Sequence, residues 1–466
     1  MVSVILSFDT EDFVTPESDD ALLMLARELA KRDICGCFAL VGDKVRALRE
    51  RGRRDVLEQV AVHEVDYHSN DHNFFPPTAT TIEKMGWDDG LRWVLAHEAP
   101  GVADLEGLLG QRPTAWVRTD SHWTTQSLHA YRLLGMRVYA ARHFARESAQ
   151  PWWYEGLLTV PYMQMLEHFI AQDGSPRAIL DLAAADFERK VEAAGREDVI
   201  VYGTHPCMWV CQTFYDIHNC KRRGHLPAKE KWQPAPLLPA DRIGRNRRFF
   251  PMFLDYLQGS GVEFITYRQL VQRFDEPSNE WLTRAQLASM ARQVVRRFAA
   301  TQSGGRYYSV AEVLGALCWA LARYEDGALP GRVPVRRLLG PVETPRQTIQ
   351  PLQVCARAVV GAAGKADAHV EANHRLPAGI DVGGHHFTPA QLLLAAAQSY
   401  LAVLAKGKPC GAVVQPGDDC PQEQNLLEGA TIGAYSLPKG YRPERLLEQG
   451  RLQSWTLKPA TALEGR

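Results

Sequence analysis

From the amino terminus, short apolar runs alternate with stretches whose apolar positions recur every three or four residues. The first run, Val2 to Phe8, leads into an amphipathic stretch carrying Leu22, Leu25, Ala26 and Leu29, with Ser18 as its candidate N-cap. Further strand-like runs cover Ile34 to Val41, Val60 to Tyr67, Thr114 to Arg118, Met136 to Ala141, Leu157 to Pro161, Val199 to Gly203 and Val262 to Thr266, mostly separated by helical segments. Seven or eight parallel strands with helices between them predict an α/β protein built on a (β/α) barrel. In such a barrel the loops after the strands converge on one face, so chemistry is expected just past the end of each run.

After Phe274 the alternation stops, and helical periods from Trp281 to Thr301 and from Ser309 to Tyr324 take over. A chain of 466 residues exceeds one ordinary core, which places a domain boundary near Glu276-Pro277-Ser278. The expected division is a barrel over residues 1–276 and a smaller, mainly helical domain over 277–466. The second part contains an internal repeat: Tyr308-Ser309-Val310-Ala311-Glu312-Val313-Leu314 aligns with Phe387-Thr388-Pro389-Ala390-Gln391-Leu392-Leu393, each copy continuing into an Ala/Leu helix. Two amphipathic helices alike only in composition are the competing reading.

A hydrophobic share of 45% with 23% charged residues is that of a globular protein. The 53 basic and 54 acidic residues nearly cancel, so nothing in the overall charge points to nucleic acid or an anionic membrane. No run approaches the roughly 20 apolar residues of a membrane helix. The start MVSVILSFDTEDF has no basic, then apolar, leader pattern, which read literally implies a cytoplasmic protein. The nine scattered cysteines suit free thiols in a reducing compartment.

Three strand ends carry the candidate chemistry. The first run ends in Phe8-Asp9-Thr10-Glu11-Asp12, placing three carboxylates where a barrel exposes its site. Singly, each is more often a cap or a helix-dipole partner. The third run ends in His68-Ser69-Asn70-Asp71-His72, and two histidines at this spacing are able to face one ion. The seventh leads to Thr204-His205-Pro206, where a packed or capping histidine is the plain alternative. Their order on three strand ends of one predicted barrel raises the joint reading above its parts.

Taken together, these motifs resemble those of NodB-like polysaccharide deacetylases, the carbohydrate esterase family 4 type, over roughly Val2 to Phe274. The resemblance implies a deformed (β/α) barrel, a divalent metal such as zinc, and removal of N-acetyl groups from an amino-sugar polymer or oligomer. It further implies Asp9 as general base, His68 and His72 as metal ligands, and His205 as general acid. The carboxylate ligand is either Asp12, the first choice, or Glu11, because Thr10 stands where the family's motif has a second Asp. Arg118, in Trp116-Val117-Arg118-Thr119-Asp120-Ser121-His122-Trp123, matches an arginine that orients the base, although this stretch lacks the family's proline. Amide hydrolysis at neutral pH needs an activated water, which a metal with an open position supplies, and a proton donor for the departing amine.

The stretch after His205 is rich in Cys207, Met208, Trp209, Cys211, Phe214, Tyr215, His218 and Cys220, followed by Lys221-Arg222-Arg223 and a proline-rich 234–239. It reads as a substrate lid or as a loop with its own apolar cluster; the Cys/His spacing fits no zinc pattern. Farther on, His374 to Thr388 with its following helix resembles the pseudomurein-binding repeat, which implies a cell-wall glycan as partner; a plain packing domain is the alternative. Two rival functions share the sequence features: hydrolysis of a small cyclic amide or ureide on the same fold, and non-catalytic glycan binding.

Overall fold

The computed structural model describes residues 2–462 apart from 75, 120–122, 141–149, 161–162, 196–197, 223, 275–279, 326, 347–350, 416, 418 and 423–436. The expected boundary at Glu276-Pro277-Ser278, and Asp120, Ser121 and His122 of the third motif, lie outside these residues. The chain divides into two compact units: one from the described residues of 1–151, 157–273 and 431–443, the other from those of 152–156, 274–430 and 444–466. Both units are discontinuous in sequence.

The first unit is built on a parallel sheet. Its strands β1 (Ser3–Thr10), β2 (Cys37–Val41), β3 (Glu64–Ser69), β4 (Ala115–Val117) and β5 (Val138–Ala140) lie in that order, each parallel to the next. Strand Val199–Thr204 pairs with the other side of β1, Met163–Met165 pairs with Val199–Thr204, and Leu157–Val160 pairs with β5. The two ends of this order are therefore adjacent in sequence, with only Pro161 and Tyr162 between them. Three Cα steps reach at most about 11 Å. The sheet is consequently curled, bringing Leu157–Val160 and Met163–Met165 near each other, as in a deformed barrel. Every residue of β1 is buried, as expected of a parallel strand covered on both faces. Phe8 stacks on Phe38 at 4.5 Å, and Trp116 lies between Tyr131 and Tyr139 at 4.3 and 5.3 Å.

Three local expectations change. Val60 closes the helix Arg54–Val60, and β3 starts only at Glu64: the apolar Val60-Ala61-Val62 continues a helix end, with Val62 63% exposed. Met163–Met165 is an additional strand, hidden in the sequence by its shortness and by the proline before it. Ser18 does not cap its helix, which begins at Glu17; the hydroxyl instead donates to the carbonyls of Asp12 and Thr15 at 3.0 and 2.7 Å. No helix among the described residues is long and apolar enough to cross a membrane.

The second unit contains a twofold internal repeat. Strand Trp281–Thr283, helix Arg284–Arg296, hairpin Thr301–Ser303/Arg306–Tyr308, helix Val310–Ala322 and strand Arg332–Pro334 are followed in the same order by Leu352–Val354, Ala356–Asn373, Ile380–Val382/His385–Phe387, Pro389–Lys406 and Ala412–Val414. In each copy the outer strands pair with each other, antiparallel. Both hairpins turn on a glycine pair at positive φ, Gly304-Gly305 (60° and 77°) and Gly383-Gly384 (58° and 79°), as tight two-residue hairpin turns require. Ser309/Glu312 and Thr388/Gln391 form matching capping boxes at the following helices.

Candidate active site

The C-terminal ends of β1, β3 and Val199–Thr204 bring Asp9, Glu11, His68, His72 and His205 together, all of them buried. Glu11 stands at the centre. Its Oε2 lies 3.2 Å from His68 Nε2, 2.9 Å from His72 Nε2 and 4.0 Å from His205 Nε2. One oxygen of Glu11 and one nitrogen from each of His68 and His72 lie within 4.8 Å of one another, a set compatible with a single ion.

The imidazoles are oriented from behind. His68 Nδ1 is 2.9 Å from the Val117 carbonyl, which only accepts, so Nδ1 carries a proton and Nε2 is the nitrogen turned toward Glu11. His72 is at φ +54°, and its amide donates to Ser69 Oγ at 2.9 Å. Burial disfavours the charged form of His72, but the facing carboxylates Glu11 and Asp216 outweigh it and raise the ring to about 10. Burial would likewise raise Glu11, yet the histidines around it hold it well below the ordinary carboxylate range. Such mutual stabilisation is what a cation would replace, and the donor set of two imidazoles and one carboxylate suits a divalent metal such as zinc.

Beside this set, Asp9 Oδ2 lies 3.5 Å from His205 Nε2, while Asp9 Oδ1 is buried without a hydrogen-bond partner. Glu167 supports His205 twice: Oε1 accepts from the His205 amide in a short contact and lies 3.3 Å from Nδ1. Thr204 Oγ1 donates to the same oxygen at 2.8 Å. Burial works against charge on His205, but Glu11 and Glu167 overcome it and raise the ring to about 9.

Asp12, the first choice for the carboxylate ligand, does not join the histidines. Its Oδ1 accepts the amides of Val14 and Thr15, both at 2.9 Å, and burial raises its carboxyl. Its carbonyl receives the buried Lys44 ammonium at 2.6 Å, and Lys44 in turn pairs with Asp19 at 2.5 Å. Asp12 Oδ1 therefore closes the turn over Val14 and Thr15. The sequence leaves this choice open because adjacent loop residues have no fixed side-chain period. Arg118, one residue beyond β4, has its guanidinium 5.5 Å from the centre of the Trp123 ring.

Two contributing side chains escape the sequence reading. Glu167 follows the short strand Met163–Met165, and without that strand it marks no strand end. Asp216 sits in the helix Tyr215–Asn219 of the supposed lid. There Tyr215 and Trp232 are buried and pack on Phe13 at 5.4 and 5.7 Å, so these rings form the loop's own apolar cluster. Phe214, half-buried, stands nearly perpendicular to His205, at 4.8 Å between ring centres. Among the described residues Cys207, Cys211, His218 and Cys220 do not assemble as a metal set. A second group, Cys37, Glu64 and Asp66, lies at the opposite strand ends. Its carboxylates already accept the amides of Arg268 and Ala115 at 2.9 and 2.7 Å, which ties strand ends together.

No family model matches the chain, and no curated protein matches it. Among solved structures, it is similar to the Xyl-CE4 domain of a multidomain xylanase from the hindgut metagenome of Trinervitermes trinervoides, with 11% identity, a TM-score of 0.32, and coverage of 58% of this chain and 90% of that one. It is also similar to a family 4 acetyl xylan esterase from Clostridium thermocellum, in complex with cobalt (13%, 0.31, 59% and 93%). A third similar structure is a CE4 family pseudoenzyme from Bacillus anthracis (11%, 0.33, 58% and 65%). Identities and scores this low leave the chemistry to be read from the site's own geometry.

Proposed function

We propose that the chain is a metal-dependent hydrolase that removes N-acetyl groups from an amino-sugar polymer or oligomer. The observation that carries this reading is the convergence of Glu11, His68 and His72 within 4.8 Å, with His68 held through Nδ1 so that Nε2 is the nitrogen facing Glu11. These three residues would hold the metal, in this account zinc. When bound, such an ion supplies a Lewis acid that acidifies water and polarises a carbonyl. Asp9, with one buried oxygen lacking a partner, takes the proton from the attacking water. His205, held by Glu167 and 3.5 Å from Asp9, donates a proton to the departing amine, without which an amine is a poor leaving group. Arg118 is assigned the orientation of Asp9 by the motif resemblance alone.

The sugar substrate rests on the order of FDTED, HSNDH and THP along the chain, since the geometry itself requires only a hydrolysable amide. The test is acetate release from N-acetylglucosamine oligomers by the zinc-loaded full chain. Turnover of a cyclic amide or ureide instead would move the assignment to the rival hydrolase, and metal binding without any turnover would move it to a binding protein. A wall-glycan partner for residues 277–466 is a separate proposal, carried by the repeat resemblance; sedimentation of the full chain with insoluble wall glycan tests it.

A further inference from the structure

His68 and His72 are supported in different ways. Behind His68 stands a neutral backbone carbonyl. Behind His72 stands a buried carboxylate from a distant part of the chain: Asp216, 1% exposed, places Oδ2 3.3 Å from His72 Nδ1. Nδ1 has two further neighbours, the Tyr215 hydroxyl at 3.3 Å and the Asn73 amide nitrogen at 2.8 Å. If Nε2 gives its lone pair to a cation, the single proton of the neutral ring must sit on Nδ1, and an acceptor is then required there. The Asn73 amide nitrogen cannot accept: one of its hydrogens goes to the same Asp216 oxygen, at 2.7 Å, and the other can reach Nδ1 only while Nδ1 carries no proton. Among these three neighbours Asp216 alone brings a negative charge.

Its position is firmly built. Asp216 Oδ1 accepts the Ile217 amide at 2.7 Å. Asn219 fastens the same short helix to the next segment, donating to the carbonyls of Tyr215 and Gln233 at 2.7 and 2.9 Å and accepting the Gln233 amide at 2.8 Å. The segment is also joined to the loop that carries Glu11, because the Ala235 amide donates to Thr15 Oγ1 at 3.1 Å and Tyr215 and Trp232 pack on Phe13.

We propose that Asp216 is a positioning residue of the metal centre: it holds the Nδ1 proton of His72, orients the ring and strengthens Nε2 as a ligand, making the segment after His205 a wall of the metal site. This rests on the proposed reading of Glu11, His68 and His72 as ligands. A carboxylate behind a ligating histidine commonly contributes 10- to 100-fold in metal affinity.

The test measures zinc affinity of the full chain by competition with a chromophoric chelator, together with the melting temperature of each metal-free variant. Asp216→Asn should weaken zinc binding about 10- to 100-fold while the metal-free melting temperature stays near that of the wild type. Asp216→Glu should recover part of the loss. An Asp216→Asn variant with wild-type zinc affinity, or one that loses only melting temperature, overturns the proposal. Should that variant not fold, Asn73→Ser, which removes one anchor of the carboxylate, should still weaken binding several-fold, and unchanged affinity there overturns it equally. Failure of the wild-type chain to bind zinc would instead overturn the ligand assignment beneath it, a distinct result.

Discussion

Buried charge is used differently in the two units. In the first, the buried Asp9, Glu11, His68, His72, Asp216 and His205, with the partly exposed Glu167, gather around the ends of parallel strands, and Asp9 keeps a buried oxygen without a partner. In the second, buried charges close local structure. Glu312 accepts the Ser309 amide at 2.8 Å and the Lys458 ammonium at 2.8 and 2.9 Å, and Asp367 receives Arg323 and Arg336, each at 2.7 Å. Burying ionised groups is costly, and in the second unit each group named is offset by a partner that also fixes a helix or a strand. In the first unit the carboxylates crowd around imidazoles whose other nitrogens are already engaged. Charge gathered beyond what the fold needs is the physical mark of a site.

The contrast breaks most visibly at the histidines. His68→Ala and His72→Ala should each lose bound metal and hydrolysis together, to background, while circular dichroism stays that of a folded barrel, because ligands on strand-end loops add little to the core. Unchanged metal stoichiometry in both variants would remove the ligand assignment.

The three carboxylates of the first loop should separate next. Asp9→Asn should keep its metal and lose about 100-fold or more in kcat. Glu11→Gln should lose metal affinity. Asp12→Asn should retain the metal and instead cost about 1 kcal/mol of stability through its weaker acceptor for the Val14 and Thr15 amides. Metal analysis with denaturation of the three variants distinguishes these phenotypes, and metal lost only from Asp12→Asn would reverse the assignment.

In the second unit the effects should fall on stability alone. Glu312→Gln leaves the Lys458 ammonium, 5% exposed, without its counter-charge and should cost about 3 kcal/mol in denaturant unfolding, with metal content unchanged. Thr388→Ala removes one side of a capping box and should cost about 1 kcal/mol. A loss of metal in either variant would mean that the two uses of charge are not separate.

Much of this arrangement is legible in the sequence where a strand announces its end. Asp9, His68 and His205 follow runs long and apolar enough to be recognised, and the repeat around Ser309 and Thr388 shows because both copies carry a cap ahead of an Ala/Leu helix. Legibility fails where position depends on tertiary context. Glu11 and Asp12 are equivalent in spacing, and they part in the structure, where the amides of Val14 and Thr15 hold Asp12 Oδ1 while Glu11 faces the histidines. Glu167 depends on a three-residue strand, and Asp216 lies 144 positions from His72 with no periodicity linking them (216 minus 72). The aromatics after His205 have the composition of a lid, but Tyr215 and Trp232 pack on Phe13.

The most direct test of the central claim is anomalous scattering at the zinc edge from crystals of the full chain grown with zinc. A peak about 2.0–2.2 Å from His68 Nε2, His72 Nε2 and a Glu11 carboxylate oxygen is the predicted result. A strong zinc peak elsewhere, with these three side chains bare, would contradict it.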